Sequence, residues 1–307
     1  MGISLDSPEP SYHDAFRGVP GAWEGAMRGI EACRQSGLDF QVHTTLTQGN
    51  YGLLTSMMEL AREVGAAAFH LFFLVCTGRG QEMSDVSPQQ YEEALSMLAE
   101  CQGDYQPMMV RARCAPHFQR VVRQRSAQPD GRVYLAGCLA GSHYCRINCQ
   151  GEVTPCPYIP LSAGSLRRQR LAAIWQTAPL LRDLRTRRAG GKCGRCEFGE
   201  WCQGCRARAY ATGGSLWEED PWCVYQPPQG ASAHRPPAVV KSHWTPEARA
   251  LMDKAPPFIR PMACSLVEQY ARREGTTLIT VELVEQVTGR FRGQRNSHMA
   301  GRKRPGG

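Results

Sequence analysis

Cysteine is the residue type that could do chemistry in this chain. The 307 residues include 14 cysteines, nine of them between Cys138 and Cys223. The densest run is Cys193-x2-Cys196-x5-Cys202-x2-Cys205, followed by Cys223, and upstream of it stand Cys138 and a Gly151-x4-Cys156 element. Thiolates are soft ligands, and CxxC spacing lets two sulfurs from one turn reach one metal centre. Gly194, Gly199 and Gly204 allow the tight turns such a wrap requires, and Pro155 and Pro157 stiffen the loop around Cys156. Two metals compete for this pattern. Structural zinc ribbons usually separate their CxxC pairs by about 15–20 residues, whereas five stand between them here. The spacing therefore favours iron–sulfur ligation, with zinc as the alternative and buried free thiols as the bland one.

The rest of the composition limits where such chemistry takes place. Hydrophobic residues make up 42% and charged residues 21%, the balance of a water-soluble globular protein with room for about two domains. No secretory signal opens the sequence, and no run approaches 18 apolar residues, so a cytoplasmic protein without membrane contact is expected. Disulfides rarely persist in that compartment, which leaves metal ligation as the use for the thiols. The net charge of +8 is uneven: Arg167, Arg168, Arg170, Arg182, Arg185, Arg187 and Arg188 precede the main cysteine run, and Arg302, Lys303 and Arg304 lie near the end. A solvated helix face with a disordered tail explains this better than nucleic-acid binding. The same charge would also attract a polycarboxylate.

Several elements must position the cysteines. Ile3–Leu5 reads as a strand ending at Asp6, followed by a Ser/Pro/Glu loop. Residues 22–36 read as a helix closed by Gly37, and 40–46 as a strand. Asn50 is expected to cap a helix carrying Leu53, Leu54, Met57, Met58, Ala61 and Val64 up to Gly65. Residues 69–75 form a nearly continuous apolar strand, and Ser87, Pro88 and Gln90 supply a capping box for a helix to about Ala99. Residues 107–113 read as a further strand. This strand–helix alternation implies a parallel sheet in an α/β fold. Beyond Gly137 the segments shorten: a hairpin across Gln150 and Gly151, and a helix over 171–185 that Pro179 breaks. Residues 227–241 have linker composition. A small helical unit spans 242–292, and 293–307 reads as disordered.

The cysteine pattern, with Gly151-Glu152-Val153-Thr154-Pro155-Cys156, Ile174-Trp175 and Asp220-Pro221-Trp222-Cys223, resembles the SPASM domain of radical S-adenosylmethionine (SAM) enzymes, here over 137–226. The resemblance implies one or two auxiliary 4Fe–4S clusters. Cys138, Cys156 and Cys205 would share one, with Cys145 as a further ligand, and Cys193, Cys196, Cys202 and Cys223 would hold the other. Residues 1–120 resemble the second half of a radical SAM (β/α) barrel: Ser4 and Asp6 match a strand-four motif, followed by His13, Asp14, Arg17 and Gly18. Thr44-Thr45-Leu46 resembles strand five, and Val75-Cys76-Thr77-Gly78-Arg79 the end of strand six. The resemblance makes Ser4, Asp6, Arg17, Thr45 and Val75 neighbours of SAM. The family's Cys-x3-Cys-x2-Cys triplet, which binds the SAM-cleaving cluster, does not occur in this sequence; Cys145-x3-Cys149 is followed at the third position by Glu152. A chain that enters in mid-barrel is expected to be a truncated product or gene model, with a degenerate relative as the alternative.

Residues 242–292, with His243-Trp244-Thr245-Pro246-Glu247-Ala248, resemble the small C-terminal domain of light-independent protochlorophyllide reductase. That resemblance implies a tetrapyrrole substrate, modified by decarboxylation or side-chain removal, with ferredoxin or flavodoxin as electron donor. A ribosomally made peptide is the alternative substrate, and a zinc- or cluster-binding module without catalysis the alternative class. Cys114 and His117, in Cys114-Ala115-Pro116-His117, are candidates to contact a substrate or a metal, although an isolated Cys/His pair is more often structural.

Overall fold

Apolar strands buried on both faces form parallel sheets with crossover helices, and the first half of the chain does this. β1 (Gly2–Ser4) is followed by helices α1 (Pro10–Arg17) and α2 (Ala22–Gln35). β2 (Gln41–Leu46), α3 (Leu54–Glu63), β3 (Ala68–Phe73), α4 (Pro88–Cys101), β4 (Met109–Arg113) and α5 (Phe118–Arg125) then alternate. All four strands are parallel, in the order β1-β2-β3-β4, with Ser4 opposite His43, His43 opposite His70, and His70 opposite Arg111. This computed structural model describes residues 1–78, 80, 86–125, 137–231, 243–254, 260–273 and 276–288.

Strand alternation divides the side chains between the faces. Val42, Leu46, Phe69, Leu71, Phe73 and Val110 pack against Ile30, Met57, Met58, Ala61, Leu95 and Leu98 from the helices. Each such side chain contributes about 1.5–3 kcal/mol on burial. Register places His43, His70 and Arg111 in one row on the other face. The capping box is present: Ser87 Oγ accepts from Gln90 N at 3.2 Å, and Gln90 Oε1 accepts from Ser87 N at 2.9 Å.

Two expectations are corrected. The Ser/Pro/Glu stretch is not loop throughout: Pro10 begins a helix, where its missing N–H costs nothing, and Gly18 ends it at φ 66°. Asn50 does not cap its helix. Its side chain accepts from Thr47 N at 2.8 Å and donates to the Asp6 and Thr45 carbonyls, each at 2.9 Å, so it laces strand ends together.

The cysteine-rich part has small elements. β5 (Arg146–Ile147), β6 (Glu152–Thr154) and β7 (Gly164–Ser165) form an antiparallel sheet. Pro179 divides α6 (Leu171–Thr177) from α7 (Pro179–Thr186), and α8 (Gly191–Arg195) and α9 (Arg206–Gly213) complete the set. The arginine run is put to local use: Arg167 donates to the Gln150 carbonyl and Arg185 to that of Gly141, while Arg185 and Arg187 stack over Trp175 and Trp217. These elements and the parallel sheet form one unit, Met1–His234, and Arg235–Gly307 form a second.

In the second unit β8 (His243–Trp244) pairs with β9 (Leu278–Ile279), between which lie α10 (Pro246–Asp253) and α11 (Arg260–Arg273). Residues 281–288 are helical. Ala248, Met252, Val267, Ala271, Ile279, Val284 and Val287 make its core. The strand pair was not legible from the sequence. Arg79, most of the proposed linker (232–241) and the proposed tail (293–307) lie outside the described residues.

Candidate metal centres

The CxxC turn on α8 sets up the first group of thiols. Cys193, Cys196, Cys202 and Cys223 line a single cavity, together with His117, Arg120, Lys192 and Tyr225. Gly204 is required at its wall: at φ 69°, a Cβ there would stand 2.7 Å from Asp220 Cβ and 3.3 Å from Cys193 Sγ. Two backbone amides point at sulfur, Gly204 N to Cys202 and Asp220 N to Cys193, each at 3.4 Å. Burial pushes the Cys193, Cys196 and Cys202 thiols up, and that of Cys223 to about 11. A buried thiolate is costly until a metal supplies the opposing charge.

A second group lies in an apolar core. Cys156 and Cys205 are buried there with Val75, Ile159 and Leu216, and Cys138 and Cys114 pack against them. Cys205 occupies the N-cap position of α9. Burial drives the Cys156 thiol to about 12 and raises those of Cys205 and Cys114, to which Cys138 adds as a charged neighbour in each case. Cys114 has φ 58°, a left-handed conformation that costs a non-glycine residue about 1–3 kcal/mol. Cys145 is placed elsewhere, packed against Val153, Ile174, Ala178 and Leu181. Sequence reasoning weighs a substrate or metal contact for Cys114, as a pair with His117, against a structural role, and does not join it to the other cysteines. The signal that marks it, proximity to Cys138, Cys156 and Cys205, exists only once β4 has ended beside the cysteine-rich elements.

The arrangement also bears on which metal fits. Among the described residues, no three His, Cys, Asp or Glu side chains stand in the geometry of a single ion. Tetrahedral zinc at about 2.3 Å from each sulfur would hold the sulfurs within roughly 4 Å of one another. A cubane cluster spreads its four thiolates around a larger body. Buried thiols, amides directed at sulfur and a buried arginine Nε without a protein partner (Arg120) are what such a cluster needs around it.

Asp220 ties the two groups together and is fully buried. Its Oδ2 accepts from Cys205 N at 2.6 Å and from Arg208 Nη1 at 3.1 Å, and stands 3.2 Å from His117 Nε2; its Oδ1 accepts from Trp222 N at 3.1 Å. Burial opposes ionisation, but His117 and Arg208 outweigh it and hold the carboxyl well below the usual range. Arg208 also donates to the carbonyls of Leu74 and Cys114 at 3.2 and 3.3 Å and lies over the Tyr91 and Trp222 rings. Trp222 Nε1 donates to the Val86 carbonyl at 3.0 Å. Asp220 thus joins Cys205 and the end of the parallel sheet through its carboxylate, and Cys193 through its backbone N–H, in one hydrogen-bonded body.

The residues expected beside SAM are placed as follows. Ser4 lies near the end of β1 and Thr45 on β2. The Asp6 carboxylate is fully buried and occupied: Oδ1 accepts from Thr45 N at 2.8 Å, and Oδ2 from Arg17 Nε at 2.7 Å. Asp6 and Arg17 thus bind each other, locking α1 onto the strand ends. Val75 is buried in the core that holds Cys156 and Cys205.

A parallel half-barrel followed by a small domain with two thiol groups defines the class of radical SAM proteins with a SPASM extension. Residues 138–206 match the family model of an iron–sulfur cluster-binding domain, SPASM, and residues 244–287 that of the proto-chlorophyllide reductase 57 kD subunit. The chain is 41% identical over 237 residues to an AdoMet-dependent heme synthase of Methanosarcina barkeri, covering 74% of this chain and 68% of that protein. It is 40% identical over 245 residues to the enzyme of that name from Oleidesulfovibrio alaskensis, covering 76% and 63%. Streptococcus suis SuiB bound to its precursor peptide SuiA shares the fold at 15% identity, with a TM-score of 0.54 over 73% of this chain and 53% of that one. The chain belongs to the AdoMet-dependent heme synthase family of radical SAM/SPASM proteins, and it spans about two thirds of the length of the curated relatives it matches. No described helix is long and apolar enough to cross a membrane.

Proposed function

We propose that this chain is the auxiliary-cluster and half-barrel portion of an enzyme that modifies a carboxylated tetrapyrrole, using a radical made from SAM. The observation that carries the reading is the pair of four-thiol groups on either side of Asp220. Cys193, Cys196, Cys202 and Cys223 hold one 4Fe–4S cluster. Cys138, Cys156 and Cys205 hold the other, with Cys114 in place of Cys145 as the fourth thiolate. When bound, these clusters supply one-electron transfer to or from the reaction. The protein's own part is to bury the thiols, direct amides at their sulfurs and fix both groups through the Asp220 network. Ser4, Thr45 and the strand ends near Val75 lie where barrel enzymes bind their ligands, and we place SAM there, with Asp6 and Arg17 holding the strand ends in position.

The heme-synthase relatives and the match of residues 244–287 to a proto-chlorophyllide reductase family favour a tetrapyrrole over a peptide. The electron donor is a small reductant of the ferredoxin or flavodoxin type, and the reaction is the decarboxylation or removal of a side chain. The test is to express the chain together with the coding sequence directly upstream, reconstitute it anaerobically, and add SAM, reductant and an iron porphyrin bearing propionates. Loss of carboxyl mass from the porphyrin, with formation of 5′-deoxyadenosine, is the expected result. An unchanged porphyrin alongside a modified peptide would refute it.

A further inference from the structure

The lining of the cavity that holds Cys193, Cys196, Cys202 and Cys223 also includes side chains without sulfur. Arg120, from α5, contributes to it. Although it is one of the longest side chains in the protein, it is only 2% exposed. Its terminal nitrogens are committed elsewhere: Nη1 donates to Glu92 Oε1 at 2.9 Å and to Gln124 Oε1 at 2.6 Å, and Nη2 donates to Glu92 Oε2. The guanidinium carbon stands 5.0 Å from the centre of the Tyr225 ring, another residue of the cavity wall. Nε is buried and has no hydrogen-bond partner in the protein. A buried N–H without an acceptor is costly, and most such groups in folded proteins have one. Glu92 and Gln124 engage the guanidinium at its two terminal nitrogens, which leaves the Nε–H without an acceptor in the protein.

We propose that Arg120 sets the redox level of the cluster held by Cys193, Cys196, Cys202 and Cys223, by donating its Nε–H to a cluster sulfur. The proposal rests on the cluster assignment made above. Reduction adds a negative charge to a body already ringed by thiolates, so a fixed cation and a hydrogen bond to sulfur favour the reduced form. Lys192, the other cation on the wall, is turned to other work: Nζ donates to the Cys223 carbonyl at 2.5 Å and lies 3.8 Å from Glu219. Arg120 acts through the cluster and is a positioning residue; its bond to Glu92 holds it in place.

The experiment is an EPR-monitored redox titration of the anaerobically reconstituted chain, carried out in a Cys156→Ala background so that only this cluster is read. Arg120→Gln is expected to keep its iron and to lower the ratio of reduced to oxidised cluster, at the parent midpoint, about tenfold, a fall of about 59 mV for a one-electron couple. Glu92→Gln removes the carboxylate that offsets the guanidinium, and is expected to raise the midpoint while lowering thermal stability. If Arg120 serves packing alone, Arg120→Gln and Glu92→Gln will both lose stability with the midpoint unmoved, and that result overturns the proposal. Should Arg120→Gln fail to load iron, Glu92→Gln decides: a midpoint that rises supports the proposal, and one that stays or falls overturns it. A parent chain that binds no iron would sink the cluster assignment instead, so the two failures are distinguishable.

Discussion

Asp220→Asn is the substitution whose cost can be worked most directly from the structure. The carboxylate gathers Cys205 N, Arg208 Nη1, His117 Nε2 and Trp222 N around its two oxygens. An amide of the same shape offers one oxygen and turns an NH2 towards donors. Arg208, 2% exposed, becomes a buried cation without its counter-charge. Breaking one side of a buried pair costs about 3–5 kcal/mol, and that is the loss expected in urea unfolding of the reconstituted chain. Its neighbour supplies the control: Glu219 is 43% exposed and stands 3.8 Å from Lys192, so Glu219→Gln is expected to cost less than about 1 kcal/mol. The two differ in pH dependence as well. The folded Asp220 carboxyl titrates below its unfolded value, so its contribution is complete above about pH 4 and is lost as the pH falls further. That part of the acid limb should disappear in Asp220→Asn. A loss below about 1 kcal/mol, or an unaltered acid limb, would refute the account of Asp220 as the joint between the two thiol groups.

Other substitutions separate the remaining roles. Cys114→Ala should release iron from one cluster and change its spectrum, whereas Cys145→Ala should leave iron content and spectrum at the parent level; metal analysis of the two reconstituted variants checks this. Asp6→Asn weakens the bonds to Thr45 N and Arg17 and is expected to cost about 1.5–3 kcal/mol per charged hydrogen bond lost, read by urea unfolding. Ser87→Ala removes one half of the capping box on α4 and should cost about 1 kcal/mol without altering the iron content, as measured by the same two assays.

The sequence carried the fold at the level of periodicity. Phe69, Leu71 and Phe73 mark a strand, Met57, Met58 and Ala61 a helix face, and Ser87 with Gln90 a helix start, because each of these signals is local. α1 escaped because Pro10 follows a Ser-Pro-Glu stretch that reads as loop, while the helix is fixed by Asp14 accepting from Gly21 N and Trp23 N. Asn50 looked like a cap because its residue type is common there; its partners, Asp6 and Thr45, are strand ends that only the parallel sheet brings near. Seven of the eight thiols in the two groups were named from spacing and resemblance. Cys114 was not, since nothing in the 23 positions between it and Cys138 records that β4 ends beside the second group. Asp220 follows two glutamates, and Arg120 stands among several arginines; only burial shows which member of each run acts.

The most direct test of the account is the metal and sulfide content of the anaerobically reconstituted chain, measured with its absorption spectrum before and after reduction. About eight irons and eight sulfides per chain, with a broad band near 400 nm that bleaches on reduction, are expected for two cubane clusters on Cys114, Cys138, Cys156 and Cys205 and on Cys193, Cys196, Cys202 and Cys223. One or two zinc ions with no sulfide and no visible band would contradict it.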